Sequence, residues 1–389
     1  MPTQALPFGV LRRRRDHSVG AIELFFDLVY VFTIIQLSHY LLYDVSFRGA
    51  AEALVLFFAV WWGWNYTAWA MNWLDPDHAG VRGLLAVLMF AALVMAIAIP
   101  DAFADSAALF VGGYVFLQLV RSAFMVWAFR GQLMARNYAQ LLSWSVFASI
   151  FWISGVFLPD DLRLVAWIVA VALDYLAPLA GFYLPRIGAT SMADWPLTEE
   201  HLAERNRLFF IIALGESILV LGFTLSDIEL TAPTIAGAVT GFVTIVFLWW
   251  LYFSFRHGNV ERKLRSDTDA TTAARGAYAY AHALMVGGAI VVAVGIELVT
   301  SHPMDTADVT IAAIVMGGPA IYLVGNIIFN KTRNGVVPSS RVYALLAVAG
   351  LFVIAGIADF PGLVVAIAAM AVLVILGATT GELRSCARG

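Results

Sequence analysis

Apolar residues run through this chain in stretches of about 20, the length needed to cross a hydrocarbon core about 30 Å thick, and short polar segments separate them. Twelve such stretches stand out, at 21–43, 49–73, 82–100, 106–129, 138–158, 162–184, 206–225, 232–255, 277–299, 308–330, 340–358 and 360–380. They predict an all-α, polytopic integral membrane protein with about twelve transmembrane helices. The last two are joined only by Asp359-Phe360-Pro361, a turn so tight that a re-entrant break is the alternative to two crossings.

Composition agrees. Of 389 residues 61% are hydrophobic and 13% charged, with a mean hydropathy of +0.83, where soluble domains carry about 25% charged residues. A formal net charge of -4 offers no basic surface for nucleic acid. The expected partners are membrane lipids and a small solute or ion, and the oligomeric state is left open. The single cysteine, Cys386, rules out an intramolecular disulfide framework and a thiolate metal cluster. No short apolar segment ending in small residues follows Arg12 to Arg15, so the first span is expected to be retained.

Orientation follows from Lys and Arg, which stay on the cytoplasmic side near span ends. With the N-terminus inside, 20 of the 23 fall in cytoplasmic segments, including Arg12 to Arg15, Arg82, Arg136, Arg205 and Arg275. The outer loops hold only Arg48 and Arg163 and are otherwise acidic. Both termini are therefore expected in the cytoplasm.

The two halves also match in order. Leu24-Phe25-Phe26 falls on Leu208-Phe209-Phe210, Trp61-Trp62 on Trp249-Trp250, and Phe110-Val111-Gly112-Gly113 with Arg121 on Val315-Met316-Gly317-Gly318 with Asn326. The pattern predicts two parallel six-helix repeats at 21–184 and 206–380. A basic N-terminus (1–20), a cytoplasmic linker (185–205) and a tail (381–389) complete the chain. Parallel repeats are known in secondary transporters, with the pathway at their interface.

Ionisable side chains inside a bilayer cost about 2.5–3.5 kcal/mol or more, so each needs a partner, a wet cavity or a proton. Glu23, Asp27, Tyr30, Ile34 and Ser38 share one face of the first span. Either this stripe lines a pathway, or Glu23 caps the helix start and Asp27 pairs with an arginine to lock the bundle. Glu216 and Ser217 fall near the middle of the seventh span and join Glu23, Asp27, Tyr30 and Ile34 as pathway candidates. Arg121 and Asp174 are the other deep charges; an ion pair of Arg121 with Asp27 or Asp174 is the plain expectation, with Asn326 at the matching position of the second half. Glu52, Asp101 and Glu297 are expected to reach water at the outer surface. Trp61, Trp62, Trp64 and Tyr66 predict an interfacial aromatic belt, or a stacking pocket for a ring or quaternary ammonium group.

His39, His257, His282 and His302 lack metal-ligand spacing, so neither metal nor cofactor is expected. No phosphate-binding Gly-rich loop with Lys-Ser or Lys-Thr appears, and no Gly-x-Ser-x-Gly elbow, so an enzyme is the lesser alternative.

The stretch Glu23-Leu24-Phe25-Phe26-Asp27-Leu28-Val29-Tyr30-Val31-Phe32 closely resembles a signature of the bacterial low temperature requirement protein A family. Glu204-Arg205 through Leu214-Gly215-Glu216-Ser217 resembles that family's second signature. The resemblance implies a bacterial membrane protein tied to growth in the cold, with no biochemical activity attached. A weaker resemblance is to the two-repeat potassium channels of lysosomes and bacteria, whose first helices carry Phe-Ser-Asp. Here Phe25-Phe26-Asp27 has Phe for Ser, and Phe209-Phe210-Ile211 lacks the Asp. The resemblance thus implies the inner membrane of a bacterium, and the resulting expectation is transport of an ion or small solute between the repeats, with or without proton coupling; a cation channel, or a membrane enzyme or lipid-handling factor, is the alternative.

Overall fold

The computed structural model describes residues 19–191, 194–253 and 267–379. Arg12 to Arg15, Arg256, His257, Arg262, Lys263, Arg265, Arg384, Cys386 and Arg388 lie outside the described residues. The regular structure is helical: α1 (Ala21–Tyr43), α2 (Phe47–Met71), α3 (Ala79–Ala98), α4 (Ala107–Ala128), α5 (Leu133–Val156), α6 (Asp160–Leu176), α7 (Glu199–Asp227), α8 (Ala232–Phe253), α9 (Asp267–Ala274), α10 (His282–Ser301), α11 (Val309–Asn334), α12 (Ser339–Ile357) and α13 (Gly362–Thr379).

Among the described residues ten helices are long and apolar enough to cross a membrane, counting Thr271–Ser301 as one. The protein is a multi-pass membrane protein. The expected second and sixth spans, α2 and α6, are not among the ten. In α2 the apolar run is diluted by Arg48, Glu52 and Asn65. α6 stops at Leu176 after 17 residues instead of continuing to 184, because Pro178 has no N–H for a continuing helix and Gly181 and Phe182 follow at positive φ. α12 and α13 are separate helices, and their turn is pinned by Ala307 N–H donating to the Phe360 carbonyl at 2.9 Å.

Two boundaries move in ways that matter. α7 begins at Glu199 rather than near 206, with Glu199 and Glu200 in its first turn, where acidic side chains favour the positive helix end. Arg205 is thus inside a helix instead of in a linker. The expected loop before 277 is also partly helical: α9 leads through a π-helical turn, Arg275–Ala281, straight into α10.

The chain forms two compact units. The first is Met1–Tyr40, Phe47–Leu208 and Arg265–Thr272, and the second is Leu41–Ser46, Phe209–Leu264 and Ala273–Gly389. In the first, α4 packs onto α3 at Gly113, where a Cβ would lie 2.9 Å from the Ala91 carbonyl oxygen. In the second, α11 packs onto α10 at Gly318, where a Cβ would lie 2.8 Å from the Val292 nitrogen. Gly112 and Gly317, the preceding residues, face open space. Only glycine permits these approaches, the usual device for close helix contact in a bilayer.

Candidate functional site

The stripe on α1 points inward: Glu23, Asp27, Tyr30, Ile34 and Ser38 are all buried. Glu23 sits in the first turn, and its Oε2 accepts the Gly20 N–H at 2.8 Å, closing the helix start. One turn on, Asp27 meets α2 and α7 within the first unit. Trp64 Nε1 donates to Asp27 Oδ1 at 2.7 Å. Arg205 grips the same carboxylate with both sides of its fork, Nη2 to Oδ1 at 2.5 Å and Nε to Oδ2 at 3.0 Å. Its Nη1 reaches Glu23 Oε1 at 2.9 Å, and its guanidinium lies 5.9 Å from the Trp64 ring centre.

The anticipated arginine partner of Asp27 is therefore Arg205, not Arg121. Arg205 is fully buried, and bidentate pairing is what lets a planar guanidinium and a carboxylate leave water together.

His201, one turn before Arg205, completes the cluster with Nε2 2.9 Å from Glu23 Oε1. Its protonation pattern is set by Asn72. The Thr198 N–H donates to Asn72 Oδ1 at 2.7 Å, and the Thr198 carbonyl accepts from Asn72 Nδ2 at 2.8 Å. Nδ2 is thus the atom that faces His201 Nδ1 at 3.4 Å, which makes Nδ1 the acceptor and Nε2 the donor to Glu23. Sequence reasoning missed Arg205 and His201 as partners, although a signal existed. Glu23 and Asp27 are four apart on one helix and His201 and Arg205 four apart on another, two complementary faces of i, i+4 spacing.

Deeper in the first unit, Arg121 and Asp174 are linked but do not touch, which corrects the expected direct pair. Asp174 Oδ2 accepts from the Tyr114 hydroxyl at 2.7 Å and from Trp152 Nε1 at 3.2 Å. Gln118 Nε2 donates to Tyr114 at 2.8 Å, and Gln118 Oε1 accepts from Arg121 Nη2. Gln118 and Tyr114 are thus interposed, because α4 supplies Tyr114, Gln118 and Arg121 at successive turns of one face.

The tryptophans are not an interfacial belt. Trp61, Trp62 and Trp64 are at most 1% exposed, because their face of α2 turns into the protein. Trp62 stacks on Tyr175 with ring centres 4.0 Å apart, Trp61 lies 5.0 Å from Trp64, and the Tyr66 ring lies under Arg121.

At the far end of α1, Glu52 is buried instead of snorkelling. It accepts from the Tyr40 hydroxyl at 2.6 Å and from Arg48 Nε at 2.9 Å, while Arg48 also pairs with Asp161 at 2.6 Å. Tyr40, Arg48 and Glu52 border a cavity of about 270 Å³ that Asp101, Phe103 and Asp160 also line. Phe103, Phe110, Trp152 and Trp167 pack together between it and the Asp174 chain.

In the second unit Glu216 and Ser217 are fully buried in α7, and the Ser217 hydroxyl donates to the Ala213 carbonyl. Asn326 Oδ1 accepts from Arg341 Nε at 2.9 Å. At the position matching Trp64 stands Tyr252, whose hydroxyl is 2.7 Å from His282 Nε2, and Ile211 replaces Asp27. His282 Nδ1 donates to the Ala277 carbonyl in the π turn.

Glu23, Asp27 and Arg205, which meet here, lie in the two segments that carry the family resemblance. The model of the bacterial low temperature requirement A protein (LtrA) family matches residues 18–378. The chain belongs to the LtrA family. An uncharacterized protein of Rhizobium meliloti (strain 1021) is 39% identical over 342 residues, 87% of this chain and 83% of that protein. No solved structure matches the chain.

Proposed function

We propose that this LtrA-family member is a transport protein of the bacterial inner membrane that moves an ion or small solute, with proton coupling. The observation that carries the reading is a succession of buried polar groups through the first unit. It starts at Glu23, His201, Asp27 and Arg205, passes Arg121, Gln118, Tyr114 and Asp174, and meets the Glu52 cavity beyond a layer of packed aromatic rings. A bundle that needed only stability would fill that column with apolar side chains, since buried ionic groups cost desolvation. The aromatic layer corresponds to a closed state of such a route.

Asp27 is a poor ligand for a permeating cation, because both its oxygens already accept charge-assisted bonds, which weighs against the channel alternative. The family name supports a role in growth at low temperature, which altered membrane transport would supply.

The test is flux in reconstituted liposomes under imposed proton, potassium and sodium gradients, comparing wild type with Asp174→Asn and Glu216→Gln. Gradient-driven flux that either substitution lowers at least tenfold is the expected result. Flux indistinguishable from protein-free liposomes under every gradient, with and without added small anions, would refute transport. Cytoplasmic termini predict that Cys386, the single cysteine, reacts with a membrane-impermeant maleimide in cells only after permeabilisation; labelling of intact cells would reverse the topology.

A further inference from the structure

Two arginines are wholly enclosed in the first unit, and they are satisfied in opposite ways. Arg205 makes three contacts with two carboxylates. Arg121, 1% exposed, has only neutral acceptors. Its Nη1 donates to the Gly63 carbonyl at 3.3 Å and the Thr67 hydroxyl at 3.4 Å, and its Nη2 to Gln118 Oε1. The Tyr66 ring lies 5.2 Å from the guanidinium carbon.

A guanidinium keeps its proton in proteins and presents five N–H donors, more than these three acceptors use. In a membrane interior, such a cation without a contacting anion is costly. No carboxylate among the described residues contacts it, and Asp174 is held two residues away in the hydrogen-bonded chain by Tyr114 and Trp152. The Thr67 hydroxyl gives its own proton to the Gly63 carbonyl at 2.8 Å, so it serves Arg121 only as an acceptor. A fixed positive fork with N–H groups to spare has the chemistry of an anion site.

We propose that Arg121 is the binding point for a small monovalent anion of the size of nitrate or acetate, held by the guanidinium N–H groups that these three acceptors leave over. The anion supplies the counter-charge that the fold withholds, and Asp174 sits at the other end of the same chain as the group able to take the accompanying proton. Coupling of that proton to the anion rests on the transport reading; binding of the anion does not.

The experiment is thermal unfolding of the purified full chain in non-ionic detergent, titrated with sodium nitrate or sodium acetate against sodium gluconate at constant ionic strength. A ligand that binds only the folded state raises the midpoint saturably. Wild type is expected to show that rise, Arg121→Gln to lose it, and Arg121→Lys to retain a fraction, since a point charge replaces the fork. Gln118→Glu guards against loss of folding: it places a carboxylate against the guanidinium, although it gives up the N–H bond to Tyr114, so its midpoint is expected to be indifferent to nitrate and acetate. Absence of a rise in wild type, or an undiminished rise in Arg121→Gln or Gln118→Glu, would overturn the assignment. Proton or cation flux that persists alongside such a failure would leave the transport reading standing and remove only the anion.

Discussion

Removing Arg205 tests the buried cluster most directly. Arg205→Gln deletes a cation that makes contacts of 2.5, 2.9 and 3.0 Å with Asp27 and Glu23, and it leaves two buried carboxylates against each other. Stripping one partner from a buried ion pair costs about 3–5 kcal/mol, mostly the penalty of the charge left behind. At about 2–4 °C per kcal/mol for a unit of this size, the midpoint falls on the order of 10 °C. The readout is thermal unfolding in mild detergent by tryptophan fluorescence, to which Trp64 reports directly because its indole N–H is bonded to Asp27. The reasoning makes a second demand: neutralising the carboxylates as well, in Glu23→Gln/Asp27→Asn/Arg205→Gln, recovers at least half of the loss. A single substitution within about 0.5 kcal/mol of wild type, the scatter of ordinary surface changes, would refute it. So would a triple variant no more stable than the single one.

Arg205→Lys keeps the charge but not the fork, and is expected to lose about 1–3 kcal/mol of stability in the same assay. Tyr114→Phe removes the hydroxyl that joins Asp174 to Gln118 and should destabilise by about 1–3 kcal/mol, measured by the same unfolding. Adjacent glycines give a comparison with an internal control: Gly112→Ala and Gly317→Ala, which meet nothing within 4 Å, should be neutral or stabilising by up to about 1 kcal/mol. Gly113→Ala and Gly318→Ala, with backbone atoms under 3.0 Å from the added carbon, should cost about 1–3 kcal/mol. Equal midpoints for the four variants would contradict the close helix contacts.

The helices were legible because crossing a bilayer imposes a local rule: every peptide group must bond within its own segment, so length and apolarity alone reveal a span. The failures of that reading were local too. Pro178 cut α6 short, and an acidic first turn carried α7 back to Glu199. The family was likewise written in two short segments, Glu23 to Phe32 and Glu204 to Ser217.

What the chain alone could not decide was which charge meets which. Arg205 contributes to the same excess of positive charge whether it lies on a loop or inside a helix, and 178 residues separate it from Asp27. Arg121 and Asp174 looked like natural partners because both are deep and opposite in sign. Pairing depends on how helices are rotated and how deeply they interlock, which side-chain packing across the unit fixes and no local spacing records. The sequence determined that buried charges had to be answered; the tertiary structure decided that Arg205 answers Asp27 and Glu23, and that Arg121 is surrounded by neutral groups.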